Sequence, residues 1–299
     1  MTEAIARVST GIDIAYDTHG DPHDPALLLV MGLGGPLIWW DSEFCDQLAE
    51  RGFLVIRFDN RDIGRSTRFS GRGGTRRQMV RTFLGDRRRI PYSIGDMADD
   101  ALGLLESLGM PSAHLVGISM GGMIAQTMAI SHPEKVRSLA SVMSNTGRRS
   151  VGWQDPRLLP KMLSGNATNR EEYLDAAARL WALIGSPDYP NDAERLRTRA
   201  GETFDRGVSV AGVSRQVLAI LSQPDRTEAL RRLDMPVLVI HGLADRLVHS
   251  SGGRATAAAI PGAELLLVPG MGHDLPIELW PTVIDAIVRN AARAASKRR

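Results

Sequence analysis

The strongest constraint on the fold is an apolar run that passes directly into a helical pattern through two glycines. HLVGIS (114–119) has the composition of a buried strand, and residues 120–131 have that of a helix. Their junction, residues 117–121, is a G-x-S-x-G sequence in the strand-to-helix context that this motif requires. A Cβ at either glycine would collide with the neighbouring strand or helix. The pattern predicts a tight turn that presents Ser119 at a helix N-terminus, where negative charge is stabilised.

Short apolar runs and longer helical patterns alternate along most of the chain. Seven runs have strand character: 12–16, 26–31, 53–58, 114–119, 136–143, 236–242 and 263–268. This alternation predicts a mostly parallel sheet with helices on both faces, with the run 12–16 at an edge. Residues 147–230 contain only helical patterns, after which the alternation resumes. We therefore expect a helical cap at 147–230, inserted into an α/β core formed by 1–146 and 231–299.

Composition narrows the class of protein. The 299 residues are 43% hydrophobic and 23% charged, with a net charge of +2, which excludes collagen-like, coiled-coil and wholly disordered classes. The longest mostly apolar stretch, 26–40, is interrupted by glycines and Pro36, so no membrane span is expected. The sole cysteine, Cys45, cannot form an internal disulfide, and the N-terminus has no signal-peptide pattern. These features predict a soluble, cytoplasmic protein.

A serine hydroxyl needs an adjacent base to become nucleophilic. Three histidines are candidates: His241 ends a strand, His249 lies in a predicted loop, and His273 follows the last strand in the glycine-rich loop PGMGH. Open α/β sheets bind their ligands outside the carboxyl ends of the strands. His273 is therefore the predicted base for Ser119, whereas His241 has the position of a core histidine.

The acid that orients the base has to follow the serine and precede the histidine. Asp245, just after a strand, satisfies this order, although aspartate is also common in turns. The alternative position after the strand 136–143 offers no carboxylate, and Asp274 is poorly placed to orient its own neighbour. The predicted catalytic set is Ser119, Asp245 and His273, which follow one another along the chain in the order serine, acid, histidine.

A glycine-rich loop, GLGG (32–35), follows the predicted strand at 26–31. Glycines allow a close backbone approach, and acyl transfer needs backbone N–H donors for the developing oxyanion. The predicted donors are the N–H groups of Leu33 and Met120. Leu37 stands where a dinucleotide fingerprint would need its third glycine, and neither a phosphate-binding loop nor a zinc-ligand spacing occurs. The sequence predicts no cofactor and no metal.

Nine arginines lie between Arg65 and Arg89, among glycines and serines. The only aromatic residues in this stretch are Phe69 and Phe83, whereas binding of single-stranded nucleic acid relies on stacking aromatics. We interpret the stretch as a solvated surface and expect no nucleic-acid partner.

Four regions resemble the α/β-hydrolase superfamily: VMGLGG (30–35), RFDNRDIGRST (57–67), GISMGGMIAQTMA (117–129), and HGLADRLV with PGMGHDLP (241–248 and 269–276). The resemblance covers residues 10–146 and 233–294 and is strongest to bacterial carboxylesterases, including mycobacterial lipase-like esterases and aclacinomycin-type polyketide methyl esterases. It implies an eight-stranded sheet, a cap after the sixth strand and no cofactor. It also implies structural roles for Asp59 and Arg61. Many relatives have His-Gly where this chain has Met31-Gly32.

These features predict a serine carboxylesterase that forms an acyl-enzyme on small-molecule esters. The same residues would also suit a lactonase, a cofactor-free perhydrolase or a carbon–carbon bond hydrolase. A non-catalytic ligand-binding receptor is an alternative from another class. The serine at 119 disfavours epoxide hydrolases and haloalkane dehalogenases, which use aspartate at this position.

The predicted cap is far longer than an ordinary connection of ~2–6 residues. Its apolar residues include Trp153, Met162, Trp181 and Leu183. We expect some of them to pack the cap and others to close an apolar pocket over Ser119. Such a pocket favours small to medium, largely apolar esters.

Overall fold

The computed structural model describes residues 3–71, 73–158 and 169–297. Its strands are β1 (Ala4–Arg7), β2 (Asp13–His19), β3 (Ala26–Val30), β4 (Leu54–Phe58), β5 (Ala113–Ile118), β6 (Val136–Val142), β7 (Val237–Gly242) and β8 (Glu264–Val268). They form one eight-stranded sheet in the order β1-β2-β4-β3-β5-β6-β7-β8. The pairs β1–β2 and β2–β4 are antiparallel, and the other neighbours are parallel. The predicted mostly parallel sheet of eight strands is confirmed.

One edge of the sheet differs from the prediction. The strand expected at the edge over residues 12–16 is β2, and it lies inside the sheet between β1 and β4. The edge is formed by β1, which pairs with β2 in the register Ala4↔Tyr16 to Arg7↔Asp13. Only one of the four residues of β1 is buried. A short, half-solvated edge strand needs no apolar run, which is why the hydrophobic pattern missed it.

The helices of the described residues cover both faces of the sheet. They are α1 (Ser42–Ala49), α2 (Arg76–Phe83), α3 (Ile94–Ser107), α4 (Met120–Ser131), α5 (Arg170–Ile184), α6 (Ala193–Gly207), α7 (Val210–Ser222), α8 (Thr227–Leu230), α9 (Ser251–Ala259) and α10 (Trp280–Lys297). One apolar core includes α3 and α4, through residues such as Met97 and Met123. A second core includes α1 and α10, where Phe44 packs edge-on against Trp280. Burial on both faces explains why every residue of β3 and β4 is buried.

The described part of the insertion between β6 and β7 contains helices and no strand. Arginines of α6 and α7 join it to core carboxylates through three ion pairs of 2.7 Å: Arg199–Asp41, Arg206–Asp59 and Arg215–Asp62. These carboxylates lie in the loops that follow β3 and β4, so the insertion is attached beside the carboxyl ends of these strands. None of the helices in the described residues has the length and apolar composition needed to cross a bilayer.

Asp59 and Arg61 have partners within the scaffold. Asp59 accepts hydrogen bonds from the backbone N–H groups of Leu37 and Arg65 at 2.7 and 2.8 Å. Burial raises the pKa of the Asp59 carboxyl, although its hydrogen bonds oppose this shift. Arg61 donates two hydrogen bonds to Asp100, at 2.5 and 2.7 Å. Neither Asp59 nor Arg61 lines the cavity over the motif serine. Both side chains instead hold loops and a helix of the core in place through their hydrogen bonds.

Candidate active site

Ser119 lies at the junction of β5 and α4 in a strained backbone conformation. Its φ is +56° and its ψ −118°, and such a conformation costs a non-glycine residue about 1–3 kcal/mol. Its N–H donates to the carbonyl of Val142 at 2.8 Å, which ties the turn to β6. A Cβ at Gly117 would lie 2.2 Å from the carbonyl oxygen of Gly121, and a Cβ at Gly121 would lie 2.0 Å from that of Val30. Both motif glycines are therefore required by backbone contacts.

His273 connects Ser119 to a buried carboxylate. Its Nε2 lies 3.0 Å from Ser119 Oγ, and its Nδ1 lies 2.7 Å from Asp245 Oδ2. The other carboxylate oxygen, Oδ1, accepts hydrogen bonds of 2.9 Å from the backbone N–H groups of Leu247 and Val248. The side chain of Asp245 is buried, so these donors replace water around it. The structure brings together the three side chains that the sequence singled out.

The surroundings of Asp245 keep its carboxyl ionised. Burial acts to raise its pKa, but the charge of protonated His273 and hydrogen bonds from His241 and His273 outweigh this effect and lower the pKa. His241 Nε2 lies 3.4 Å from Asp245 Oδ2 and 2.7 Å from the carbonyl oxygen of Val248. His249 instead stacks on Trp153, with ring centroids 4.2 Å apart. Of the three candidate histidines, only His273 contacts Ser119.

Two backbone N–H groups near Ser119 are available to an oxyanion. Within the described residues, the N–H groups of Leu33 and Met120 have no hydrogen-bond acceptor. Met120 is the first residue of α4, whose early N–H groups lack intrahelical partners. A Cβ at Gly32 would lie 3.3 Å from Ser119 Cβ, so the loop after β3 passes directly beside the serine.

Gln216 of the cap supports this loop, and the sequence analysis did not identify it. Its Oε1 accepts a hydrogen bond from Gly34 N–H at 3.0 Å, and its Nε2 donates to the carbonyl of Arg61 at 2.9 Å. The side chain is fully buried on α7, whose sequence VAGVSRQVLAILS is otherwise largely apolar. A buried amide needs partners for both of its ends. The adjacent polar residues Arg215 and Gln216 stand out in this apolar helix, and from them a structural role could have been predicted.

The segment after α5 holds the loop that carries His273. The backbone N–H of His273 donates to the carbonyl of Ile184 at 2.7 Å. The hydroxyl of Ser186 accepts from Gly272 N–H at 2.8 Å and donates to the carboxylate of Asp274. Ser186 therefore contacts the residues on both sides of His273. No sequence signal marked Ser186, because GSPDYPN has the composition of an ordinary loop.

A cavity of about 150 Å³ lies over Ser119. Its walls are mostly apolar and come from core and cap: Met31, Leu33, Trp39, Trp40, Phe44, Ile118, Met143, Leu180, Trp181, Ile184, Leu247, Leu275 and Trp280. Of the predicted cap residues, Trp181 lines the cavity. Trp153 is 52% exposed, and neither Trp153 nor Leu183 lines it. Met162 lies outside the described residues.

The described residues contain no group of three or more His, Cys, Asp or Glu side chains that could hold a metal ion. Cys45 is buried in the core, and burial raises the pKa of its thiol to about 12. A thiol in this state is a poor nucleophile. The hydroxyl–imidazole contact in the cavity is that of Ser119 and His273.

Comparisons with known proteins agree with this architecture. A family described as "alpha/beta hydrolase fold" matches residues 25–278. The chain belongs to the α/β-hydrolase family. This α/β hydrolase is 31% identical to the rhodomycin D methylesterase DauP of a Streptomyces species, over 92% of this chain and 93% of DauP. It is 27% identical to the 3-oxoadipate enol-lactonase 2 of Acinetobacter baylyi, over 82% of this chain and 81% of that protein.

A solved structure shows the same fold. The enol-lactonase from Burkholderia xenovorans superposes on this α/β hydrolase with a TM-score of 0.73 at 22% identity. The superposition covers 97% of this chain and 100% of that one. The family and its methylesterase and lactonase relatives support a hydrolase.

Proposed function

We propose that this α/β hydrolase is a serine carboxylesterase that cleaves small to medium, largely apolar esters through an acyl-enzyme. The observation that supports this most strongly is the chain of contacts from Asp245 through His273 to Ser119 Oγ, at 2.7 and 3.0 Å. A hydroxyl is a weak nucleophile unless an adjacent base takes its proton. The distance of 3.0 Å allows His273 to take the proton of Ser119, and the distance of 2.7 Å allows Asp245 to orient His273 by a hydrogen bond. The similarity to a rhodomycin D methylesterase supports an ester as the substrate.

In the acylation step, His273 Nε2 takes the proton of Ser119 Oγ while Oγ forms a bond to the ester carbonyl carbon. The carbonyl π electrons move to oxygen, which becomes an oxyanion held by the N–H groups of Leu33 and Met120. One such donor contributes roughly 3–4 kcal/mol to transition-state stabilisation. The oxyanion then collapses, the ester C–O bond breaks, and His273 gives its proton to the leaving alcohol. Acyl-Ser119 remains.

In the deacylation step, His273 Nε2 takes a proton from water while the water oxygen bonds to the acyl carbon. The second oxyanion collapses, the bond to Ser119 Oγ breaks, and His273 returns the proton to Oγ. The carboxylic acid product leaves and the enzyme is regenerated. Asp245 stays ionised throughout because its pKa is lowered, and its charge stabilises the imidazolium in both steps.

The cavity supports a preference for small acyl or alcohol groups. Its volume of about 150 Å³ and its apolar walls suit a short hydrocarbon chain or a small ring. The ion pairs Arg206–Asp59 and Arg215–Asp62 are buried and hold the cap on the core without a substrate. A cap held in this way encloses a permanent pocket, which disfavours long triglycerides at an interface.

Covalent labelling tests the nucleophile. A fluorophosphonate should label the wild-type chain once, at Ser119, as located by mass spectrometry of peptides. Ser119→Ala should remain unlabelled. Ser144→Ala is the matched control and should keep the label, because Ser144 Oγ is buried and has no hydrogen-bond partner within the described residues. Labelling that survives in Ser119→Ala would contradict the assignment.

Substrate profiling tests the ester preference. A series of p-nitrophenyl esters from acetate to palmitate should show a maximum of kcat/KM at or below about eight acyl carbons. Emulsified triolein should be turned over slowly. Strong interfacial activation on triolein would show that the cap is a mobile lid. A small lactone hydrolysed with a higher kcat/KM than every ester would favour a lactonase that uses the same residues.

A further inference from the structure

Helix α2 and the residue after it direct apolar side chains into solvent. Val80, Phe83 and Leu84 are 59%, 53% and 74% exposed, whereas Thr82 of the same helix is buried. The inner side of α2 packs against α7 of the cap. This is the reverse of the usual arrangement, in which a surface helix turns its apolar side inward. Single exposed apolar residues are ordinary, but the spacing i, i+3, i+4 places these three on one face, as at an interaction site.

The same stretch concentrates the positive charge of the chain. Residues 65–89 contain nine arginines and one acidic residue, Asp86, which gives a charge of +8. Because the whole chain carries +2, the remaining residues carry −6. Arg81 and Arg88 share Asp86, at 2.6 and 3.0 Å. Five other exposed arginines have no carboxylate partner within the described part of the chain. The guanidinium groups of Arg68 and Arg87 donate to backbone carbonyls, whereas those of Arg76, Arg77 and Arg89 have no partner among the described residues.

These residues form a surface that is separate from the candidate active site. We define the α2 patch as Arg76, Arg77, Val80, Phe83, Leu84 and Arg89. None of its members lines the cavity over Ser119. Arg149, near the start of the cap, extends the basic rim, since its guanidinium lies 5.0 Å from the centre of the Phe83 ring. The α2 patch therefore combines apolar protrusion with unpaired positive charge at a place that the hydrolytic chemistry does not use.

We propose that the α2 patch docks the protein peripherally on lipid bilayers that contain anionic lipids. Surface arginines are attracted to anionic head groups, and a helix with exposed Val, Phe and Leu side chains buries them at the boundary between head groups and acyl chains. Docking of this kind leaves the chain on one side of the membrane and needs no spanning helix.

The shape and composition of the patch favour a lipid surface over macromolecular partners. Its three apolar side chains project from one helix and are more than half exposed, so a deformable apolar phase can surround each of them. A nucleic acid would pair with the arginines but would leave Val80 and Leu84 in water. A bilayer with anionic head groups matches both the apolar and the basic components of the patch.

Vesicle co-sedimentation of the full chain tests the proposal. One set of vesicles contains phosphatidylcholine alone, and the other also contains about 30% phosphatidylglycerol. The apolar variant is Val80→Ser/Phe83→Ser/Leu84→Ser, and the basic variant is Arg76→Gln/Arg77→Gln/Arg89→Gln. Matched controls change exposed residues elsewhere: Ile5→Ser/Ile277→Ser and Arg232→Gln/Arg254→Gln/Arg289→Gln. An unchanged Tm and unchanged p-nitrophenyl butyrate turnover show that each variant is folded.

The wild type and both controls should partition at least about tenfold more strongly into the anionic vesicles, and each patch variant should lose at least about tenfold. Binding should weaken as salt shortens the Debye length from about 10 Å at 0.1 M to about 3 Å at 1 M. Equal partitioning into both kinds of vesicle, or folded patch variants that bind like the wild type, would overturn the proposal. Binding of an RNA or DNA oligonucleotide that the apolar variant retains, without binding to vesicles, would replace the lipid surface with a nucleic acid.

Discussion

Replacing Asp245 by asparagine changes one charge and leaves the size of the side chain unchanged. The backbone N–H groups of Leu247 and Val248 both donate to Oδ1, so the amide oxygen has to take the place of Oδ1. The amide NH2 then takes the place of Oδ2, which lies 2.7 Å from His273 Nδ1. Because the NH2 is a donor, Nδ1 has to accept a hydrogen bond. The imidazole proton is thereby forced onto Nε2.

With its proton on Nε2, His273 cannot take the proton of Ser119 Oγ across 3.0 Å. The corresponding substitution in a serine protease lowers kcat about 10⁴-fold by the same tautomer change. At 1.36 kcal/mol per tenfold, this corresponds to about 5.4 kcal/mol of lost transition-state stabilisation. We expect a similar fall in kcat for p-nitrophenyl butyrate. KM should change little, because Asp245 does not line the cavity.

Initial-rate kinetics on Asp245→Asn and Asp274→Asn measure this effect with a matched control. Asp274 is next to His273 in sequence, but its carboxylate accepts a hydrogen bond from Ser186, so the control should lose less than about a hundredfold in kcat. Nitrogen-15 NMR of the His273 ring should show the proton moving from Nδ1 to Nε2 in Asp245→Asn only. If Asp245→Asn keeps more than about a tenth of wild-type kcat, Asp245 does not set the tautomer and the reasoning is refuted.

Three further changes probe the turn, the cap and the loop of the base. Gly121→Ala places a Cβ 2.0 Å from a backbone carbonyl of β3, so thermal unfolding should show a large fall in Tm, and an unchanged Tm would contradict the steric argument. Arg215→Met leaves the buried Asp62 without its ion pair and should cost about 3–5 kcal/mol of unfolding free energy, measured with urea at pH 7. Burial acts to raise the pKa of Asp62, but hydrogen bonds from Arg215 and Tyr92 outweigh burial and lower this pKa. The ion pair therefore stabilises the fold at pH values above 3.8, the ordinary pKa of the group. As the pH falls below that value, the wild type and the variant should converge in their free energies of unfolding. Ser186→Ala loosens both neighbours of His273 and should lower kcat about 10–100-fold with little change in KM, whereas equal changes in kcat and KM would argue against a positioning role.

The parts of the fold that the sequence predicts are those in which local composition decides the structure. All residues of β3 and β4 are buried, so each strand has a continuous apolar run whatever its neighbours are. The strand β1 has no such run, because it is defined by its pairing with β2 at the edge of the sheet. The order β4-β3-β5 is likewise a property of long-range packing that no local pattern encodes.

The candidate site likewise contains some residues that local sequence predicts and others whose roles depend on long-range packing. Ser119 could be found because a strained turn between a strand and a helix demands glycines at fixed offsets. Trp153 and Trp181 could not be told apart, since both lie in the cap and only the packing of the cap decides which one faces the cavity. Ser186 was not predictable, because its role depends on where the segment after α5 meets the loop of His273.

The loop between β3 and α1 is held at two points, Met31 and Leu37, by the segment that follows β4. Asn60 donates a hydrogen bond from Nδ2 to the carbonyl of Met31 at 2.9 Å, where the loop begins. Asp59 accepts a hydrogen bond from the backbone N–H of Leu37 at 2.7 Å, just after the glycines of the loop. Both side chains are buried, so water does not compete for these bonds. The path of the loop past Ser119 is therefore fixed through its backbone.

This support explains how a methionine can stand at position 31, where the resemblance to α/β hydrolases leads us to expect a histidine in many relatives. The hydrogen bond from Asn60 holds the main-chain carbonyl of Met31, which every residue type provides. The side chain of Met31 is buried in the apolar cluster that contains Trp40 and Phe44, so it fills space and holds no polar partner. Gly32 is the position at which a side chain would crowd Ser119, with a Cβ 3.3 Å from that of the serine. The geometry of the proposed oxyanion site therefore depends on the glycine and the backbone anchors, and residue 31 is free to change with the shape of the pocket.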